Sequence, residues 1–416
     1  MPACGLDFGT SNTTVGIETP AGPALVALED GKVTIPSAIF YSVDGSTAVG
    51  REAIRRYVDG HDGRLMRSLK SVLGSSLIEE VTQLGKHRLR FREVIAGYLG
   101  TVKRRAETEA GHELQQVVHG RPVFFVDDNP ARDRQAEDSL RRIAGKVGFA
   151  EISFQYEPIA AALDYEQQVR HEELALIADI GGGTSDFSIL RLGPERHRKA
   201  DRSDDILAND GVRIGGTDFD RQLSLNTLMP MLGHKSAMKR PGLTVPGAYF
   251  HDLATWSSIN RMYRSTTLRD IREIRREAAE PALLDRLVSV VESRRGHTIA
   301  MEVEAAKIAL SDEARARLDL SWIEPGLGVD IDRPGLAGHT MSLAERIAAR
   351  VAICLAQAGI AADAIDALFM TGGSTRLAHV RAAIIAAVPD ARIVDGDTFG
   401  SVGTGLAIEA GRRYGE

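Results

Sequence analysis

The spacing of apolar and polar positions changes several times along this chain, and each change marks an element. Leu174 to Ile180 is an apolar run carrying Asp179 near its end. Gly181-Gly182-Gly183-Thr184 follows, after which Phe187, Ile189 and Leu190 resume a β-forming segment. Near the N-terminus Gly5-Leu6-Asp7-Phe8-Gly9-Thr10-Ser11-Asn12 leads into Thr13 to Ile17 in the same arrangement. Each segment sets an aspartate just before a glycine and hydroxyl turn. Glycine permits a tight turn and lets backbone N–H groups approach a bound group unobstructed. Both segments predict strand–turn–strand hairpins, one opening each half of a duplicated molecule. A third glycine turn lies late in the chain. The short apolar run Ala367–Thr371 precedes Gly372-Gly373-Ser374-Thr375-Arg376, and Leu377, Val380, Ile384 and Val388 then recur at helical spacing. That order predicts a strand, a turn and a helix with Ser374 or Thr375 as its N-cap. Backbone donors and the positive helix end would face whatever binds there.

Other segments are read more coarsely. Arg132 to Val147 mixes charged and apolar residues as an exposed helix does, with Pro130 close to its start. Glu157-Pro158-Ile159-Ala160-Ala161-Ala162-Leu163 begins another helix, its proline in the first turn where no N–H is needed. Ile259 to Arg315 predicts successive amphipathic helices. The basic stretch from Gly233 to Pro246 contains several Pro and Gly breakers and predicts an exposed connection. A second break, from Pro325 through Pro334-Gly335, is expected to end the helical stretch.

Composition narrows the classes. At about 150 residues per domain, 416 residues suggest two or three compact units. With 43% hydrophobic and 26% charged residues the chain is neither disordered nor membrane-spanning in character. A net charge of −6 gives no general electrostatic case for nucleic acid or anionic lipid. The mixed run from Arg261 to Arg276 reads as a solvated helix face. Two cysteines, Cys4 and Cys354, cannot build a disulfide framework or a thiolate zinc site, and read as small buried apolar residues. The histidines show no metal-ligand spacing. The N-terminal residues lack the basic-then-apolar order of a secretion signal, so a cytoplasmic location is expected.

Paired glycine hairpins, each led by an aspartate, suit a nucleoside triphosphate. Backbone N–H groups and the hydroxyls of Thr10, Ser11, Thr184 and Ser185 can donate to its oxyanions. A hard divalent ion on those phosphates keeps several waters and needs one or two carboxylates, here Asp7 and Asp179. Each residue also has a plainer reading. An aspartate can end a strand by hydrogen-bonding its own turn. Lys70 on a charged segment can be solvated, and Glu157 can simply complement a helix dipole. Glu304 and Lys307, three apart, can form a surface ion pair.

Taken in order, these motifs resemble the actin-type ATPase superfamily, and within it the nucleotide-binding domain of the DnaK-type heat-shock chaperones. Gly5 to Asn12 resembles that family's first phosphate motif, and Asp179 to Asp186 its second. Glu157 to Ala162 resembles its connecting helix, Ile214-Gly215-Gly216-Thr217-Asp218-Phe219-Asp220 the segment after the second hairpins, and Met370 to Arg376 its adenosine motif. The resemblance implies that Asp7 and Asp179 hold Mg2+, mostly through waters, and that Lys70 reaches the transferred phosphate. It implies that Glu157 and Thr184 position the attacking water with help from Asp186. Gly9, Thr10, Ser11, Asn12, Gly182, Gly183, Gly215 and Gly216 would contact the nucleotide from the phosphate side. Glu304, Lys307 and Ser311 would contact ribose and base, with Gly372, Gly373, Ser374 and Arg376 closing that pocket. Two departures touch the nucleotide pocket. Ile308 stands where the family has an adenine-stacking arginine, and Thr398-Phe399-Gly400-Ser401 replaces an Asn-Pro-Asp-Glu pattern. The chain stops at Glu416, before the family's peptide-binding domain, and so resembles the short homologues of YegD type.

The implied fold is α/β, with two lobes of duplicated ribonuclease-H-like cores, each bearing a smaller cap. Lobe I would span 1–169, with its core at 1–36 and 92–169 plus a C-terminal helix at 399–416, and its cap at 37–91. Lobe II would span 170–398, with its core at 170–214 and 340–398 and its cap at 215–339. The implied function is ATP and ADP binding with Mg2+ and slow conversion of ATP and water to ADP and phosphate, used as a conformational switch. A protein partner or co-chaperone fits that role; nucleic acid and membrane do not. Alternatives are a nucleotide-responsive scaffold with little turnover, a small-molecule kinase and an actin-like filament. The kinase would need a further carboxylate base, for which no motif is found.

Overall fold

The computed structural model describes residues 3–84, 87–126, 129–166, 169–196, 203–396 and 400–415. The chain divides into two compact units, one of residues 1–216, 346–375 and 380–416 and the other of 217–345 and 376–379.

Two mixed sheets organise the first unit. In the first sheet, β1 (Ala3–Phe8), β2 (Asn12–Thr19) and β3 (Gly22–Leu25) run antiparallel, and β4 (Gln116–Arg121) and β5 (Glu151–Tyr156) continue beyond β1 in parallel. The second sheet repeats this plan. Antiparallel β6 (Glu173–Ile180), β7 (Ser185–Leu192) and β8 (Ile206–Val212) are followed beyond β6 by parallel β9 (Ala367–Thr371) and β10 (Arg392–Asp395). The hairpins expected from the glycine turns are the first two strands of each sheet. The shared strand order is the architectural trace of the duplication.

Helices cover the sheets. The first, α1 (Phe91–Ala110), buries Val94, Ile95, Tyr98, Leu99 and Val102 in a core with Leu6, Phe8 and Val117. The next, α2 (Pro130–Val147), begins as expected, with Pro130 in its first turn and Asn129 accepting from the Arg132 N–H. It provides the crossover between parallel β4 and β5. A second core gathers Ile159, Ala160 and Ala161 of α3 (Glu157–Glu166) with Ile177, Phe369 and Leu406. Both cysteines are buried and unpaired, and burial pushes each thiol up to about 12.

The second unit is largely helical and includes α4 (Gly296–Asp312) and the first half of α5 (Arg333–Ala358). Here the expected break is corrected. Pro325-Gly326 lies in the turn of a two-stranded hairpin, Arg315–Asp319 with Gly328–Asp332, and Pro334 sits in the first turn of α5 instead of ending a helix. Both strands alternate polar and apolar residues, with Leu318 and Ile331 buried, but the alternation lasts only five residues in each. The Gly233–Pro246 connection is mostly exposed, as expected. The N-cap expectation at the third glycine turn also needs correction. A 3-10 turn, Gly373–Arg376, intervenes before α6 (Ala378–Ala387). Within it the Ser374 and Thr375 hydroxyls donate backward, to the carbonyls of Gly181 and Gly372. Among the described residues no helix is long and apolar enough to cross a membrane.

Candidate nucleotide site

The two hairpin turns are closed by the same bond. Gly9 N–H donates to the Asn12 carbonyl and Gly181 N–H to the Thr184 carbonyl, each at 2.9 Å. The ladders also match. Asp7 pairs across its hairpin with Thr14, and Asp179 pairs with Asp186, seven residues on in both cases.

Small residues let the turns meet. A Cβ on Gly182 would fall 2.3 Å from Ser11 Oγ, and one on Gly183 would fall 2.7 Å from Thr10 Oγ1. Gly215 lies beneath the second turn, where a Cβ would sit 2.4 Å from the Gly183 nitrogen, and Gly216 N–H donates to the Gly181 carbonyl at 3.0 Å. The third turn arrives alongside β6. Gly372 has φ +83°, and a Cβ there would be 2.5 Å from Asp179 Oδ1. Any side chain at these positions would force the turns apart.

Between the turns is a cleft of about 90 Å³. Asp7 and Asp179 line it from the first and second hairpins. Gly9, Thr10, Ser11 and Asn12 contribute from one turn, Gly182, Gly183 and Thr184 from the other, and Gly372 and Gly373 from the third. Lys70 and Glu157 complete the polar wall, joined as a buried ion pair. Lys70 is carried on the short 3-10 turn Leu69–Val72, and Glu157 is the first residue of α3. Asp186 lies behind the wall with its Oδ1 accepting the Val123 N–H at 2.9 Å.

Four carboxylates therefore surround one ammonium, and the charge balance shows in their titration. Burial, then the Glu157 carboxylate, pushes Asp7 and Asp186 each up to about 7. The same two causes, with Asp186 and Asp7 adding, raise Asp179 well above the ordinary carboxylate range. Burial pulls the Lys70 ammonium down, but Glu157, Asp7 and Asp186 together outweigh it and raise the group. Such a cluster is short of positive charge.

The donor set fits a polyphosphate with a hydrated divalent ion. Turn residues line the cleft together with the hydroxyls of Thr10 and Ser11, which suit oxyanions, whereas the expected Ser185 donor is buried and committed to the Ile214 carbonyl; the carboxylate excess suits a cation. The hydroxyl of Thr14, buried in the same wall, has no hydrogen-bond partner among the described residues. Among those residues no three His, Cys, Asp or Glu side chains are arranged to hold a metal by themselves. Carboxylates acting through waters and phosphate oxygens remain the arrangement this site can offer.

Thr14, Thr371 and Val402 also line the cleft without having been singled out from the sequence. For Thr14 a signal existed: it holds the ladder position that Asp186 occupies in the second copy. Of the candidate adenosine residues, Glu304, Lys307, Ser311 and Arg376 belong to the second unit, whereas Gly372, Gly373 and Ser374 belong to the first. Lys307 is buried and pairs with Asp220 at 2.8 Å. Glu304 is half-buried, and the Ser311 carbonyl accepts from the Arg333 guanidinium at 3.2 Å. Arg376 makes a bidentate contact with Asp312 at 2.7 and 2.8 Å. Ile308 is 54% exposed, and Thr398 and Phe399 fall outside the described residues.

Comparison with known proteins agrees with this architecture. The chain is 27% identical over 429 residues to a protein named chaperone protein HscA homolog from Chromobacterium violaceum, covering 98% of this chain and 58% of that protein. It is 26% identical over 427 residues to the one from Bordetella petrii, covering 98% and 57%. The chain thus spans less than two thirds of the length of these relatives. The profile described as Hsp70 protein matches residues 3–236 and 289–414. With nearly the whole chain matched, including both hairpins and all three glycine turns, this protein belongs to the Hsp70 family and has its actin-like ATPase fold.

Proposed function

We propose that this chain binds ATP and ADP with Mg2+ in the hairpin cleft and slowly converts ATP and water to ADP and phosphate. The observation that carries the reading is the meeting of two like-built turns, each with its aspartate on the same cleft. When bound, Mg2+ would neutralise phosphate charge. The chain's own residues supply position and electrostatics, which is most of what phosphoryl transfer needs. Asp7 and Asp179 would hold the ion's waters, and the turn N–H groups would hold the phosphate oxygens. The Lys70 ammonium, now committed to Glu157, would turn to the transferred phosphoryl group. That would free the Glu157 carboxylate to orient water with Thr184, while Asp186 takes up a proton from behind.

The test is phosphate release with and without Mg2+, beside calorimetry with ATP and ADP. Turnover dependent on Mg2+ and abolished by Asp179→Ala supports the reading. ATP binding without release would leave a nucleotide-responsive binding protein. The exposed Ile308 favours that second reading, because it supplies no cation–π attraction to a base. Both readings use nucleotide-driven closure to present a surface to a protein partner, in keeping with relatives named as chaperones. Capture of a partner in ATP but not ADP would support the switch, and equal capture in both would count against it.

A further inference from the structure

Arg213 lies one residue beyond β8 and outside the residues assigned above. One of its Nη atoms donates to the carbonyl of Ser71, and the other to the carbonyl of Phe125 at 3.4 Å. Ser71 directly follows Lys70. The turn that carries Lys70 opens at Ser68, whose φ of +53° and ψ of +37° place a residue with a Cβ in the left-handed region. Such a conformation persists only where its surroundings hold it. Within the turn, Ser71 N–H and Oγ both return to the Ser68 carbonyl, at 3.0 and 2.7 Å. From outside it, Arg213 grips the same residue.

The backbone on either side of Arg213 is fixed to the cleft. Gly211 and Val212 pair with Asp186 and Ser185 on β7. A Cβ on Gly211 would meet Asp186 Oδ1 at 2.9 Å, so the strand passes directly against that carboxylate. Ser185 Oγ donates to the Ile214 carbonyl at 2.7 Å, and Gly216 N–H donates to the Gly181 carbonyl. The planar guanidinium therefore projects from a hydrogen-bonded base and ties the hairpin that holds Asp186 to the turn that holds Lys70.

We infer that Arg213 is a positioning residue for Lys70, keeping its ammonium in line with Glu157 and the cleft. The inference rests on the proposed hydrolysis for its catalytic meaning. Its geometric content can be tested without turnover.

The experiment uses the full chain with Arg213→Ala and Arg213→Lys. In Arg213→Ala, kcat for MgATP should fall by about 10- to 100-fold, as a misplaced catalytic group implies, with KM changed less than about threefold. Arg213→Lys, which restores one donor, should recover part of kcat. In parallel, an amine-acylating reagent read by mass spectrometry reports the exposure of Lys70, with Lys103, paired to Glu107 on α1, as the internal reference. Acylation of Lys70 should rise severalfold relative to Lys103 in Arg213→Ala and less in Arg213→Lys. Unchanged Lys70 labelling in Arg213→Ala would overturn the inference, as would Lys70 and Lys103 rising together, which reports general loosening. Should the wild-type chain release no phosphate, the hydrolase reading fails while the labelling ratio still decides the role of Arg213.

Discussion

At the scale of single residues, charge in the cleft decides most of what can be measured. Asp7 and Asp186 have native pKa values near 7, raised by burial and by Glu157, against about 4 in an unfolded chain. The native state therefore holds protons that the unfolded state has already released. Their contribution to stability is full below about pH 4 and is lost as pH rises through 7. Urea midpoints should fall between pH 5 and pH 7.5 in metal-free protein. Asp186→Asn, which keeps the Oδ1 acceptor for Val123, should flatten that fall; equal slopes would count against the assignment. Lys70 gives a second expectation. Lys70→Ala strands Glu157 among like charges and should cost roughly 3 kcal/mol, measured by denaturant unfolding. Adding Glu157→Gln to it should recover much of the loss. A double variant as unstable as Lys70→Ala would show that the lysine acts mainly through packing.

At the scale of elements, the motifs were legible because their glycines answer to backbone contact. The helix α7 (Ser401–Tyr414) lies so close to α3 that a Cβ on Gly405 would come within 1.7 Å of the Ala160 carbonyl. Gly405→Ala should therefore destabilise by about 1–3 kcal/mol, read from urea unfolding, whereas Gly111→Ala, where φ is +76° with open space around it, should show only backbone strain. Equal costs would mean that α7 can shift freely. The sequence also announced α2 through Pro130 and the mixed run from Arg132 to Val147, and the three strand–turn units through their glycine turns. The Arg315–Asp332 hairpin was marked only by a polar–apolar alternation five residues long in each strand, too short to stand out beside the neighbouring helices. Nor did the sequence disclose that Ser374 and Thr375 would donate to carbonyls, because capping and back-bonding use the same side chains and differ only in where the backbone goes.

At the scale of the molecule, the two sheets of the first unit repeat one strand order, and the cleft forms where their first turns meet. A ligand bound there joins residues from both sheets and should stabilise the native state by mass action. At a hundredfold excess over Kd the gain is about 2.7 kcal/mol. Thermal melting with MgADP should show a rise that Asp179→Ala removes, and no rise in the wild-type chain would argue that the cleft does not take nucleotide. The sequence by itself determined the hairpins, the duplicated plan and the identity of the charged residues, since strand, turn and helix signals are local and survive without their neighbours. Tertiary structure alone decided that Lys70 is bound to Glu157, that Lys307 pairs with Asp220, that Thr14 faces the cleft and that Arg213 reaches Ser71. Those are contacts between segments tens to more than a hundred residues apart in the chain. No local period records them, because they depend on how turns, strands and helices are brought together.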